Sequence, residues 1–265
     1  MLATLAEHGD EAKVLAGGQS LVPLLNFRFA RPAVLVDLGR VGALAGIERR
    51  DGTVSVGAMT RQRYAERSDD LRDACPLVAQ ALAHVGHLQI RNRGTVGGSI
   101  AHADPAAELC AVALAVDAEM VIRGPRGERV VAAADFFQGP FTTTIEPDEL
   151  LAEVRFPALG GARTAFLELA RRSGDFALSG VAALNRGTSG AARVALAAIG
   201  VGGSAVRLRE AEAAVEGREL TDEVLQDAGE AASAAVDPPT DIHADSRYRK
   251  ELLGVLVRRA LRQVA

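Results

Sequence analysis

Two stretches decide how this chain is read: Leu15-Ala16-Gly17-Gly18-Gln19-Ser20-Leu21-Val22-Pro23, and Arg93-Gly94-Thr95-Val96-Gly97-Gly98-Ser99-Ile100-Ala101-His102-Ala103-Asp104-Pro105-Ala106-Ala107-Glu108. Each holds a glycine pair beside hydroxyl side chains. Paired glycines let successive backbone N–H groups approach an anion closely and adopt positive φ. Ser20, Thr95 and Ser99 add hydroxyl donors. The first pair follows Lys13 to Leu15, which reads as strand. No GxxxxGK[ST] occurs, so neither stretch is a P-loop; the first also lacks GxGxxG, and no βαβ unit is expected around it. Taken singly, such a loop is more often an ordinary tight turn between strand and helix. Brought together by the fold, the two would clasp a pyrophosphate from both sides, leaving a heterocycle at one end and a nucleoside at the other. That is the geometry of a dinucleotide cofactor.

Around these stretches the first 160 residues read as short strands broken by glycine, with Val34 to Leu38, Thr53 to Gly57 and Leu150 to Phe156 as strands and a hairpin around Gly124-Pro125-Arg126-Gly127. Leu71, Cys75, Val78, Leu82 and Val85 recur at helical spacing, predicting one amphipathic helix between Ser68 and Val85, with Asp69 and Asp70 at its start and Gly86 at its end. Ala106 to Val116 reads as a second helix. Gly160-Gly161 marks a domain junction, giving residues 1–160 and 161–265. Beyond it, Thr164 to Ala170 and Arg193 to Gly200 read as strands, and Ala205 to Glu216, Asp222 to Val236 and Asp245 to Val264 as helices, making a smaller α+β unit.

Composition excludes several function classes. The 265 residues are 48% hydrophobic and 24% charged with a net charge of −4, so no basic field exists to hold nucleic acid or an anionic membrane. No run approaches the roughly 18 apolar residues of a membrane span. Met1 to His8 reads as the latter part of an amphipathic helix closed by Gly9, without the basic region or cleavage site of a signal peptide, so a cytoplasmic location is expected. The 2 cysteines, Cys75 and Cys110, are far apart and form no CxxC, so a disulfide framework, an iron–sulfur cluster or a structural zinc site is not expected from this chain alone. Cys110 reads as a small buried hydrophobe and Cys75 as a helix-face residue.

The two glycine stretches resemble the two FAD-binding motifs of the flavoprotein (medium) subunit of molybdenum hydroxylases, the carbon monoxide dehydrogenase and xanthine dehydrogenase group. Phe166-Leu167-Glu168 through Ala170-Arg171-Arg172-Ser173-Gly174-Asp175-Phe176-Ala177 is similar to that family's strand near the flavin. Asp241-Ile242-His243 with Ser246, Tyr248-Arg249 and Leu253 to Arg259 is similar to its C-terminal helix. Together the motifs span nearly the whole chain in the family's order.

The resemblance implies an α+β fold: an FAD-binding domain of two α+β subdomains, of PCMH type, followed by a C-terminal α/β domain of the carbon monoxide dehydrogenase flavoprotein type. It implies that Leu15, Ala16, Gly17, Gly18, Gln19, Ser20, Leu21 and Val22, with Thr95, Val96, Gly97, Gly98 and Ser99, hold the FAD pyrophosphate. Glu108 stands where the family commonly has an aspartate that meets the cofactor's hydroxyl groups; its longer side chain still accepts those bonds but reaches differently. Val85 and Leu151 fall where family members touch the flavin or adenine, though plain core packing accounts for both equally. Asp175 and Phe176 are implied to stand near the isoalloxazine, against the alternative that Arg171, Arg172 and Asp175 form a solvated strand end. Family members usually carry about twenty further residues before the segment matching Leu2 to Gly9, enough for an early strand; either the start here is placed late, or the subdomain tolerates the loss and a sheet edge lies open.

The function implied is an oxidoreductase subunit that passes electrons from the iron–sulfur clusters of a partner through FAD to an acceptor such as NAD, a quinone or oxygen. A molybdenum-cofactor large subunit and a [2Fe–2S] small subunit are the implied partners, in a heterohexamer of two trimers. The scarcity of cysteine agrees with clusters held elsewhere. No residue is singled out as catalytic and none as a metal ligand: His84 and His87 lack further ligands at suitable spacing, and His102 with Asp104 reads as loop ordering. Two other readings stay open at this point, a self-contained flavin-dependent reductase like the one acting on enolpyruvyl-UDP-N-acetylglucosamine, and a nucleotide-binding module without redox function. A gene standing alone would favour the reductase; a chain that takes up no flavin would favour the module. The substrate of the complex is chosen by the absent large subunit.

Overall fold

The computed structural model describes residues 1–188 and 190–265. Helix α1 (Leu2–His8) leads to strand β1 (Ala12–Leu15), and helix α2 (Leu21–Asn26) carries the chain to strand β2 (Val34–Asp37), which pairs in parallel with β1. A βαβ unit does surround the first glycine pair, which corrects the sequence expectation. Its crossover helix has only 6 residues, too few for a helical period to register. Leu5, Ala12, Val36 and Leu38 form a small core shared with Met59, Leu150 and Ala152 of the next unit.

That second unit begins with the hairpin β3 (Ile47–Arg50) and β4 (Thr53–Gly57) and continues through six helices: α3 (Gln62–Glu66), α4 (Asp69–Ala74), α5 (Pro76–Leu82), α6 (Leu88–Arg93), α7 (Val96–His102) and α8 (Glu108–Ala115). The hairpin β5 (Glu119–Gly124) and β6 (Gly127–Ala132), a short helix α9 (Ala133–Phe136), the pair β7 (Phe137–Gly139) and β8 (Thr142–Thr143), and strand β9 (Leu150–Pro157) complete it. The sheet order is β3-β4-β9-β5-β6, antiparallel throughout.

The single helix expected between Ser68 and Val85 is instead the pair α4 and α5. Pro76 has no N–H, and its ring drives Cys75 out of the helical region to φ −141° and ψ 72°. The apolar periodicity survives the break because Leu71, Leu77, Val78 and Leu82 all reach one core. Ser68 supplies the cap, its hydroxyl accepting the Leu71 N–H at 3.3 Å, while Asp69 and Asp70 sit in the first turn. Cys75 lies at the junction, fully buried, not on a helix face. The second glycine pair is likewise no loop: it is the first turn of α7, with Thr95 as N-cap. Glycine's poor helix propensity hides that helix from a reading of sequence.

The C-terminal unit is a four-stranded antiparallel sheet in sequential order, β10 (Arg163–Ala170), β11 (Ala177–Asn185), β12 (Val194–Ile199) and β13 (Val206–Arg207). Helices α10 (Arg209–Val215), α11 (Asp222–Ala234) and α12 (Ser246–Gln263) pack on one face. The other face meets α5 and α8, so Phe166, Ala182, Leu184, Ala197 and Ile199 join the core of the second unit. Every residue of β11 is therefore buried. A strand covered on both faces shows no alternation of apolar and polar residues, which is why it escaped the reading of the sequence.

Candidate cofactor-binding cleft

The three units meet around a cleft of about 590 Å³. Its floor is the contact between the two glycine stretches. The chain at Gly17 runs so close to the other segment that a Cβ there would stand 2.8 Å from the Gly94 Cα. Gly18 follows at φ 76°, and the Gln19 side-chain Nε2 donates to the Gly17 carbonyl at 3.2 Å. Among the described residues, the N–H groups of Gly17, Gly18, Gln19 and Ser20 meet no acceptor within the protein, while those of Val22 and Leu24 are taken by Gly18 and Ser20. Four successive free donors on a turn that lines a cleft make a concavity for an anion.

The second stretch contributes differently. Its N–H groups are already engaged: Val96 donates to the Thr60 carbonyl at 3.0 Å, Gly97 to Ala58 at 2.9 Å, Gly98 to the Thr95 hydroxyl at 3.1 Å and Ser99 to the Thr95 carbonyl at 3.1 Å. A Cβ at Gly97 would stand 2.8 Å from the Ala58 carbonyl oxygen, so the glycine is required by the approach of α7 to β4's end. The expected symmetric clasp by two sets of N–H groups is thus replaced by a division of labour. The first loop offers backbone donors; the second offers a smooth wall and the Ser99 hydroxyl.

Deeper in, Glu108 opens α8 and is only 8% exposed. Burial pushes its carboxyl up to about 8, and the negative charges of Glu168 and Asp104 push in the same direction. It carries its proton at neutral pH and can both donate and accept. Asp104 accepts the Ala106 N–H at 2.8 Å, and the His102 ring lies 5.1 Å from that of Phe141, so both order the wall. Burial pushes the His102 imidazole down, keeping it neutral.

The third wall is the turn between β10 and β11. Gly174, Asp175 and Phe176 line the cleft from there, and the Phe176 ring is 75% exposed. Val85 and Leu151 also line it. Of the residues singled out from sequence, Ala16, Gly17, Gly18, Gln19, Ser20 and Leu21, then Thr95, Gly97, Gly98 and Ser99, and finally Glu108, Leu151, Asp175 and Phe176 come together on this one surface. Leu15, Val22 and Val96 do not. Leu15 is held in the β1 pairing opposite Asp37, Val22 turns to solvent, and Val96 is buried in the core.

Sequence reading missed Gln62 and Phe141, which line the cleft from segments without a motif. Gln62 is buried, with Oε1 lacking a partner among the described residues. No local signal marks it, because its place follows from its N–H donating to Gly94 at 2.9 Å. His84 lies 3.5 Å from the Glu168 carboxylate and His87 precedes α6. Among the described residues no group of three His, Cys, Asp or Glu side chains could hold a metal ion, and no helix is long and apolar enough to cross a membrane.

Comparisons with known proteins agree on one family. Residues 1–159 match the model of the FAD binding domain in molybdopterin dehydrogenase, and residues 164–264 that of the CO dehydrogenase flavoprotein C-terminal domain. The 6-hydroxypseudooxynicotine dehydrogenase complex subunit alpha of Paenarthrobacter nicotinovorans is 41% identical, covering 98% of this chain and 89% of the relative. The carbon monoxide dehydrogenase medium chain of Hydrogenophaga pseudoflava is 37% identical, over 98% and 91%. A solved structure of carbon monoxide dehydrogenase from that organism superposes with a TM-score of 0.97 at 39% identity, covering 99% of this chain and 92% of the other.

Proposed function

Since the chain belongs to the family of FAD-binding medium subunits of molybdenum hydroxylases, we propose that its FAD lies in the cleft between the three units, with the pyrophosphate on the free N–H groups of Gly17 to Ser20. The chain is an FAD-binding oxidoreductase subunit, and its relatives are subunits of multi-subunit complexes, which implies large and small partner subunits. The observation that carries the placement is the row of unengaged donors on a turn pressed against Gly94.

Each wall has its own task. The Ser20 and Ser99 hydroxyls add to the anion site. Glu108, protonated in its buried setting, meets cofactor hydroxyls as donor or acceptor. Val85, Leu151 and Phe176 would offer apolar surface to the cofactor's ring systems, with Asp175 beside Phe176. When bound, the flavin would accept electrons from iron–sulfur centres of a partner and deliver them to an acceptor such as NAD, a quinone or oxygen. This chain's residues orient the cofactor and limit water around it. The 2 cysteines are buried and free, and burial pushes the Cys75 thiol up to about 12, so neither is poised to enter that traffic.

The test is a visible spectrum of the purified chain followed by titration with FAD. Bound flavin, or stoichiometric uptake, supports the reading. No flavin and no uptake would overturn the placement. Reduction by dithionite, then reoxidation by NAD, a quinone or oxygen in turn, identifies the acceptor.

A further inference from the structure

Arg249 sits on α12, far along the chain from both glycine stretches, and does not line the cleft. It is 5% exposed. Burying a guanidinium is costly unless its donors find partners; Nε has none among the described residues, and the two terminal nitrogens reach three segments. Nη1 donates to the Leu178 carbonyl at 2.6 Å and to the Gly200 carbonyl at 3.1 Å; Nη2 donates to the Asp241 carboxylate at 2.7 Å.

Each of these segments leads to the cleft wall. Leu178 lies just beyond Phe176, at the start of β11. The Gly200 N–H donates to the Pro105 carbonyl at 2.9 Å, and Pro105 stands between Asp104 and Ala106, both cleft residues. The Asp241 carboxylate also accepts the N–H groups of His243 and Ala244 at 2.8 and 3.0 Å, which fixes the turn. From that turn His243 Nδ1 accepts a bond from Arg171 at 2.9 Å. Arg249 thus holds the Leu178 end of the segment from Arg171 to Leu178 directly, and its Arg171 end and the Pro105 segment through the Asp241 turn and Gly200.

We propose that Arg249 is a positioning residue for the cofactor cleft, fixing the Phe176 turn and the Pro105 segment at once so that the C-terminal helix sets the shape in which FAD is received. The proposal rests on the placement of FAD in that cleft. A lysine at 249 carries the same charge but is a single ammonium group and cannot reproduce the planar fork.

The experiment compares full-length wild type, Arg249→Lys and Leu256→Ala. Leu256 is buried on the same helix in the C-terminal core and belongs to none of these hydrogen bonds. Hydrogen exchange of the flavin-free chains, FAD affinity by fluorescence titration and thermal midpoint are measured at a temperature where all are folded. For Arg249→Lys, exchange rises over residues 103–107 and 171–178, and the FAD dissociation constant rises about tenfold as the receptive arrangement falls to about a tenth of the population. Leu256→Ala lowers the midpoint at least as much but leaves both segments protected and FAD affinity within about twofold. If Arg249→Lys keeps wild-type exchange and affinity, or if Leu256→Ala shifts both equally, the proposal is overturned. Should the wild type itself take up no FAD, the placement of FAD fails, while exchange in the flavin-free chains still decides what Arg249 holds. Should Arg249→Lys not fold, Asp241→Asn carries the test, since Asp241 is on the surface turn: exchange must rise over 171–176 and stay unchanged over 103–107. Unchanged exchange over 171–176 in that variant would count as refutation.

Discussion

Gly17 and Gly94 touch through their backbones: a Cβ on the first would stand 2.8 Å from the Cα of the second. The contact joins the βαβ unit to the helical side of the second unit and forms the cleft floor. Alanine at 17 must push the two apart, because backbone on both sides cannot swing away as a side chain would. We expect Gly17→Ala to cost about 1–3 kcal/mol of stability, as overpacking does, and to weaken FAD binding at least about tenfold, a loss of 1.4 kcal/mol. Fluorescence titration with FAD checks the second figure; wild-type affinity would show that the floor is not the anion site.

Glu108 makes the stability of the flavin-free chain depend on pH. Its carboxyl is raised by burial to about 8, from an ordinary value near 4.5. Above the lower value the unfolded chain has lost this proton and the folded chain keeps it, so this group's contribution to stability is full at lower pH and is lost as pH rises to about 8. The slope approaches about 1.4 kcal/mol per pH unit in that window. Glu108→Gln should flatten it, read by denaturant melts at pH 5, 6, 7 and 8. A slope of the same size in Glu108→Gln would assign the effect to another group.

Thr95 caps α7 by accepting the Gly98 N–H at 3.1 Å, and its side chain is buried. Thr95→Val keeps the shape and removes the acceptor, at a cost of about 0.5–2 kcal/mol. For a chain of this size that lowers the thermal midpoint by roughly 2–4 °C per kcal/mol. Thr95→Ser, which keeps the hydroxyl, should recover most of the loss; a serine variant as unstable as the valine would point to methyl packing instead of the cap.

Phe176 is 75% exposed, so the flavin-free chain should hardly register its loss: Phe176→Ala changes stability by no more than about 0.5 kcal/mol. FAD affinity and the flavin's visible band should both change, because an aromatic face against the ring is removed. Asp175→Ala is the companion variant. FAD content and reoxidation rate unchanged from wild type in both would remove this turn from the site.

Much of the lining of the candidate cleft was legible because its signals are local. Glycine pairs with hydroxyl neighbours advertise a close backbone approach, and the motifs at Gly17-Gly18, Gly97-Gly98 and Asp175-Phe176 do converge. The break at Pro76 was legible in principle, but an apolar stripe shared by α4 and α5 outweighed it. Strand β11 and the role of Gln62 were not legible, since one is buried on both faces and the other acts through a partner remote in sequence.

The sequence by itself determined the two motif stretches, many of the strands, the C-terminal helices and the family resemblance, all carried by residue type and short spacing. Only the tertiary structure decided that the first glycine turn keeps its N–H donors free while the second spends them within the fold. The same holds for Arg249, whose contacts with Leu178, Gly200 and Asp241 link segments that meet only after folding. The physical reason is common to both. A hydrogen-bond donor's availability depends on which acceptors lie within reach, and those acceptors are supplied by distant parts of the chain.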